Sequence, residues 1–246
     1  MITLDILYED SMLIAVNKSA GILVVPDRWD PEIPTLQDLL REYLRRTSDR
    51  DHPNLRVVHR LDKDTSGVIV FAKDVKAQAY VSKQFENGEV SKTYHAIVKG
   101  VIRENDGVIN HPILESDEKA GKMMTSSKGK RSITRFTVLE RFNGFSLVEA
   151  NPLTGRTHQV RVHLASHGHP LALDPLYGRS EPVYLSQIKK EYKPKDGAEK
   201  PLIPRIPLHS LRLTLKEPVE EKTLVIEAPV PKDFARMLKM LRKYCG

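Results

Sequence analysis

The sequence predicts an α+β protein with a mainly antiparallel mixed sheet flanked by helices and loops. Runs of β-type residues are joined by tight turns. Asn143-Gly144 separates Ser132–Arg141 from Phe145–Ala150, and Glu217-Pro218 lies between Leu208–Leu215 and Thr223–Ala228. The helical stretches are scattered among these strands and set up no βαβ rhythm. No glycine-rich phosphate loop of the Walker type is present.

Taken in order, residues 2–8 and 12–16 predict two strands around the turn Glu9-Asp10-Ser11. A loop at Asn17–Gly21 leads to a short strand, Ile22–Val25, closed by Pro26. An irregular stretch from Arg28 to Pro34 holds Trp29. Thr35 then reads as an N-cap with Asp38 three residues on, followed by an apolar stripe of Leu36, Leu39, Leu40 and Tyr43. That helix ends near Arg46 in a polar loop from Thr47 to Asn54. Val57-Val58 and Val68–Phe71 read as short buried strands around a polar connector.

Asp74 predicts the cap of a helix that runs to about Asn87, with Gly88 as its stop. Val90–Val98 follows as a strand with Lys92 and Tyr94 on one face, ended by Gly100. Residues 101–129 hold few apolar positions. Lys119, Lys122, Lys128, Lys130 and Arg131 cluster there, and 117–131 reads as a basic loop. Thr157 is the expected N-cap of a helix that buries Val160 and Leu164 and stops at Gly168. Residues 178–207 carry five prolines at Pro182, Pro194, Pro201, Pro204 and Pro207, and predict a loop or lid outside the core. Phe234–Tyr244 reads as a basic amphipathic helix. No internal repeat is evident, and residues 1–246 are expected to form one domain.

Composition narrows the function. The 246 residues are 40% apolar with a net charge of +7, a mean hydropathy of -0.39 and a pI near 9.3. No apolar run approaches the roughly 20 residues that cross a bilayer, and the N-terminus does not resemble a secretory signal. No membrane partner is expected. The single cysteine, Cys245, allows no internal disulfide, which suits a reducing cytoplasm. The excess of 39 Lys and Arg over 32 Asp and Glu points to a polyanion such as nucleic acid.

Three stretches can carry chemistry. The first, His59-Arg60-Leu61-Asp62 followed by Thr65-Ser66-Gly67, places charged groups between two buried strands. Such groups are costly there unless they are paired or used. The second is Lys92-Thr93-Tyr94. The third is Gly155-Arg156-Thr157-His158-Gln159-Val160-Arg161-Val162-His163, with His167 and His169 beyond it. His163 and His167 have a feasible metal-ligand spacing, but no carboxylate or cysteine pair accompanies them. Ser66 lacks the Gly-x-Ser-x-Gly elbow of a serine nucleophile. Asp62 is the remaining candidate. A carboxylate held by an arginine such as Arg156 can act at a sugar C1′ as nucleophile or charge stabiliser, and Tyr94 can stack on a base.

These motifs, in this order and spacing, resemble the RluA branch of RNA pseudouridine synthases. Leu7-Tyr8-Glu9-Asp10 with Val16–Gly21, Leu208-His209-Ser210 with Leu213, and Ala228-Pro229 with Pro231–Phe234 extend the likeness over nearly the whole chain. The resemblance implies isomerisation of uridine to pseudouridine in RNA without cofactor or metal. Asp62 would be the catalytic aspartate, Tyr94 would pack on the target uracil, and Arg156 would pair with Asp62. Arg60 would fill the gap left by the flipped base. His59, Lys92, His158 and Arg161 are further expected RNA contacts. Ribosomal RNA is favoured as substrate over tRNA, and a monomer is the default. The rival reading is a non-catalytic RNA-binding or ribosome-assembly protein on the same scaffold. Two departures stand out. Leu173 occupies a position where relatives usually carry glycine before Asp174, and the chain is expected to lack the S4 RNA-binding domain that many relatives have. Target recognition would then fall to 117–131 and 178–207.

Overall fold

The computed structural model describes residues 4–26, 32–47, 55–178, 180–192, 194 and 199–246. The expectations for Trp29 and for most of the polar loop at 47–54 therefore lie outside the described residues. The chain divides into two compact units, residues 1–92 with 210–229 and residues 93–209 with 230–246.

In the first unit, β1 (Ile6–Glu9) and β2 (Leu13–Lys18) form the predicted antiparallel pair. β2 in turn pairs antiparallel with β4 (Ser66–Ala72), matching Leu13 to Ala72 and Lys18 to Gly67. β3 is only Arg56–Val57 and pairs antiparallel with the far end of β4. The two apolar runs that flank the polar connector are thus neighbours in the sheet. β11 (Leu208–Lys216) and β12 (Thr223–Glu227) form the predicted hairpin.

All seven residues of β4 are buried, and Val68, Val70 and Ala72 pack with Leu13, Ala15, Val81, Leu213 and Ile226. Val81 comes from α2 (Val75–Asn87), which has the expected ends. Asp74 accepts the Ala77 N–H at 2.8 Å, and Gly88 closes the helix at φ 74°.

α1 (Leu36–Thr47) begins with a reciprocal cap in which the Asp38 carboxylate accepts from the Thr35 N–H and hydroxyl and Thr35 Oγ1 accepts the Asp38 N–H. Its buried stripe is Leu36, Leu40 and Leu44. The predicted strand at Ile22–Val25 is absent. The carbonyls of Leu23 and Val24 instead accept the N–H groups of Leu36 and Gln37 at 2.8 and 3.3 Å. This apolar run serves the orphan donors at the helix start rather than a strand ladder.

In the second unit the strand order is β5–β10–β9–β6. β9 (Thr134–Phe142) and β10 (Phe145–Pro152) meet at the Asn143-Gly144 turn and pair antiparallel, and β5 (Ser91–Lys99) lines the other side of β10. The stretch 101–129, which holds few apolar positions, is in fact structured. It contains β6 (Asp106–Ile109) on the edge of β9, and the hairpin β7 (Ile113–Glu115) and β8 (Met123–Thr125). Ile109 and Ile113 are the fully buried apolar residues of these three strands, too few to give an alternating pattern over 101–129.

Among its described residues the 178–207 stretch is irregular apart from α4 (Leu185–Ile188), but the expectation that it lies outside the core is corrected. Val183, Leu202 and Ile203 pack against Phe234, Met237 and Leu241 of α5 (Lys232–Tyr244). Among the described residues no helix is long and apolar enough to cross a membrane.

Candidate active site

The connector between β3 and β4 carries His59, Arg60 and Asp62, and its anchors are backbone and buried side chains. Arg60 is exposed, Leu61 is buried and Asp62 is half-buried. A turn from Asp62 to Thr65 is closed by the Thr65 N–H donating to the Asp62 carbonyl at 3.1 Å. The next carbonyl, of Lys63, accepts from the Gly21 N–H and from Lys18 Nζ, each at 2.8 Å.

Lys18 is 1% exposed and also donates to the Ser19 and Ile22 carbonyls at 3.0 and 2.8 Å. A buried ammonium is tolerable only with such partners. Sequence reasoning passed over Lys18 as a loop residue. Its local signal is a lysine closing an apolar run, and its decisive partner lies 45 residues away.

Gly67 ends the connector. It has φ +112°, and a Cβ there would lie 2.1 Å from the Ser210 carbonyl oxygen. Only glycine admits that approach. Beside it, the Thr65 hydroxyl is buried with no hydrogen-bond partner among the described residues.

His59 ties the connector to the sheet. Its Nε2 accepts the Val70 N–H at 3.0 Å, and its ring stacks on Phe85 with centroids 4.6 Å apart. Accepting at Nε2 requires the neutral ring with its proton on Nδ1. Burial, with the charge of Lys92 as a lesser cause, pushes the imidazole down from 6.5 to about 3. The unfolded chain therefore takes up a proton as pH falls through 6.5, whereas the folded chain resists until about 3. The His59 contribution to stability is full above pH 6.5 and is lost progressively as pH drops toward 3. Urea unfolding at pH 7 and pH 5 should show a smaller acid loss in His59→Gln than in wild type, because the amide can accept from Val70 without titrating. An equal loss would contradict this assignment.

Lys92, expected at RNA, is 9% exposed, and burial pushes its ammonium down to about 8. His59 Nε2 thus faces the sheet, and Lys92 is mostly buried.

In the second unit, Tyr94 lies on β5 opposite Ala150 of β10 and packs, partly buried, on the core formed by Ala96, Val98, Ile102 and Leu164. The glycine-arginine motif leads into α3 (Gln159–Ser166). Its N-cap is His158, not Thr157 as the sequence predicts. His158 takes the left-handed conformation at φ 55° and makes no side-chain cap. Such a conformation costs on the order of 1–3 kcal/mol in a non-glycine residue and persists where neighbours hold it. His158 Nδ1 sits 2.7 Å from the Tyr177 hydroxyl, which also accepts the Met123 N–H of β8 at 2.9 Å.

Arg156 is exposed, and its Nε donates to the Arg131 carbonyl at 3.3 Å. Arg161, another expected RNA contact, is committed elsewhere. Its guanidinium meets Asp174 through Nε and one terminal nitrogen, both at 2.9 Å, with side chains only 7% and 0% exposed. It also lies over the Tyr177 ring at 5.1 Å.

Leu173, at the position where glycine was expected, needs no positive φ and buries its side chain. Both ring nitrogens of His163 are used, toward the Thr134 hydroxyl at 2.8 Å and the His111 carbonyl at 2.9 Å, and burial lowers its pKa. Among the described residues no three His, Cys, Asp or Glu side chains gather in a metal-holding group.

In the first unit the connector holds one half-buried carboxylate, and in the second the glycine-arginine motif presents one exposed arginine. A family model for RNA pseudouridylate synthase matches residues 12–166. The chain belongs to that family. It is 38% identical over 243 residues to ribosomal large subunit pseudouridine synthase D of Nitrosomonas europaea, covering 98% of this chain and 66% of the relative. It is 37% identical over 238 residues to the uncharacterized RNA pseudouridine synthase YhcT of Bacillus subtilis, covering 96% and 72%. A synthase D from Neisseria meningitidis serogroup B is 36% identical, and this chain spans 62% of its length. The chain thus spans about two thirds of the curated relatives it matches. Among solved structures, human RNA pseudouridylate synthase domain containing 4 superposes with a TM-score of 0.75 at 29% identity, covering 97% of this chain and 93% of that one. The predicted α+β class with a mostly antiparallel sheet agrees with that likeness.

Proposed function

We propose that this protein isomerises uridine to pseudouridine within ribosomal RNA of the large subunit. In this reading the N1–C1′ bond breaks, the uracil rotates, and C5 bonds to C1′ while the C5 proton leaves and N1 gains one. Asp62 is the catalytic carboxylate, Tyr94 packs on the uracil, Arg156 supports the reacting centre, and Arg60 takes the place of the flipped base. The observation that carries the reading is the connector itself, where Lys18, Gly21 and His59 fix the backbone on both sides of one half-buried aspartate. A surface turn would need no such scaffold. Family membership supplies the reaction class, and relatives named for the ribosomal large subunit favour that RNA.

The phosphates meet exposed cations. Arg60, Arg156, Lys119, Lys128, Lys130 and Arg131 are all exposed; Lys119 lies in the turn of the β7–β8 hairpin, and Lys128 and Lys130 follow β8. Cation–phosphate contacts of this kind offset the few kcal/mol that base flipping costs. The protein works in this reading as a cytoplasmic monomer without cofactor or metal. Mapping of pseudouridine in total RNA from cells with and without the protein tests the proposal. Loss of one or a few large-subunit sites is expected, restored by the intact gene. An unchanged ribosomal RNA map would overturn the substrate assignment, and release of free uracil from RNA by the purified protein would overturn the reaction.

A further inference from the structure

Gln159 has no role in the expectations drawn from its motif, yet its side chain is fully engaged. It is 4% exposed. Its Oε1 accepts from the Thr154 hydroxyl at 2.7 Å and from the Arg156 N–H at 3.0 Å. Its Nε2 donates to the Ile133 carbonyl at 2.9 Å and to Thr134 Oγ1 at 3.0 Å. The Gln159 backbone N–H donates to the Arg156 carbonyl at 3.1 Å. One residue therefore binds both backbone polar groups of Arg156.

The amide has a single workable orientation. Flipped, its oxygen would face the Ile133 carbonyl and its NH2 would face the Arg156 N–H. Thr154 closes the frame, because its oxygen also accepts the Ile133 N–H at 3.1 Å. The usual means of holding this segment is missing, since the left-handed His158 provides no side-chain cap. Gln159, the first residue of α3, takes over that work by reaching back to the residue that bears the guanidinium.

We propose that Gln159 is the positioning residue for Arg156. By fixing the backbone root of that side chain it sets where the guanidinium stands during the chemical step, without touching RNA itself. The inference rests on the proposed role of Arg156 at the reacting nucleotide. Displacing a catalytic group by about 1 Å can cost on the order of 100-fold in rate.

Gln159→Glu provides the test, because glutamate keeps the shape and its protonation decides the hydrogen bonding. As a carboxylate it still accepts from Thr154 and Arg156 but sets a second acceptor against the Ile133 carbonyl. As a neutral acid it donates there and restores most of the pattern. Burial and that carbonyl both favour the neutral form.

Single-turnover tritium release from 5-tritiated ribosomal RNA would be measured on the full chain from pH 5.5 to 8.5, at a temperature where circular dichroism shows each variant folded. At pH 8.5 Gln159→Glu is expected to be roughly 10- to 100-fold slower than wild type. The ratio of variant to wild-type rate should climb toward one as pH falls, with RNA affinity unchanged. Gln159→Leu should be slow at every pH.

A purely structural role would lower the melting temperature and leave the folded variants with wild-type rates at all pH values, which would overturn the proposal. So would a loss that appears wholly in RNA affinity, or a rate ratio independent of pH. Arg156→Ala separates the two layers. Full activity in that variant overturns the role of Arg156 and the inference with it. An inactive Arg156→Ala beside a normal Gln159→Glu overturns the inference alone.

Discussion

Alanine in place of Asp62 is expected to slow tritium release from 5-tritiated uridine RNA by about 10³-fold or more, the scale on which enzymes lose a group that takes part in the chemistry. RNA affinity should stay within a few-fold of wild type. The reason lies in how the connector is held. Its anchors are the Lys63 carbonyl with Lys18 and Gly21, the His59 ring on Val70 and Phe85, and the buried Leu61. All of these belong to other residues and survive the substitution. Asp62→Asn keeps the shape and removes the charge, so it should be as inactive as alanine if the carboxylate is the working form. Filter-binding with ribosomal RNA, run beside the tritium assay, separates chemistry from affinity. Wild-type activity in Asp62→Ala would remove Asp62 from the mechanism.

The parts of this fold that were legible in the sequence are those fixed by near neighbours. Asp74 and Gly88 bound α2 because a cap and a left-handed stop act within a single turn of chain. Asn143-Gly144 is a hairpin for the same reason. What the sequence hid depends on distant partners. Leu23 and Val24 look like a strand but spend their carbonyls on α1. The 178–207 stretch looks like surface because its prolines and lysines outnumber Val183, Leu202 and Ile203, which α5 nevertheless buries.

The proposed functional residues divide along the same line. Asp62, Tyr94 and Arg156 stand in recognisable motifs. Lys18, which binds the Lys63 carbonyl one residue beyond Asp62, and Gln159, which binds the backbone of Arg156, are ordinary polar residues whose importance comes from burial and from carbonyls elsewhere in the chain. Burial also redistributes the expected RNA contacts. Arg161 looks like a phosphate ligand in its motif, but Asp174 takes its guanidinium.

That buried pair sets the largest expected loss of stability. Asp174 is 0% exposed, and its carboxylate accepts from two nitrogens of Arg161 and from the N–H groups of Leu176 and Tyr177 at 3.0 and 3.2 Å. Asp174→Ala strips these partners together and leaves a buried guanidinium without its counter-charge. Breaking such a pair costs about 3–5 kcal/mol, which in a chain of this size lowers Tm by roughly 6–20 °C. Glu227→Ala is the control. Its partner is Arg212, the two side chains are 45% and 54% exposed, and surface pairs of this kind contribute at most about 1 kcal/mol.

The double variant Arg161→Met, Asp174→Leu should recover much of the loss, because removing both charges also removes the desolvation problem. It should not recover activity in full. The Arg161 guanidinium lies over the Tyr177 ring, and the Tyr177 hydroxyl joins His158 to Met123 of the β7–β8 hairpin. An apolar replacement can refill the core, but it cannot restore the cation over the Tyr177 ring, whose hydroxyl joins the start of α3 to the basic hairpin. Thermal melts of the three variants decide the matter. If Asp174→Ala melts no lower than Glu227→Ala, the Arg161–Asp174 pair is not the stabilising element its burial implies.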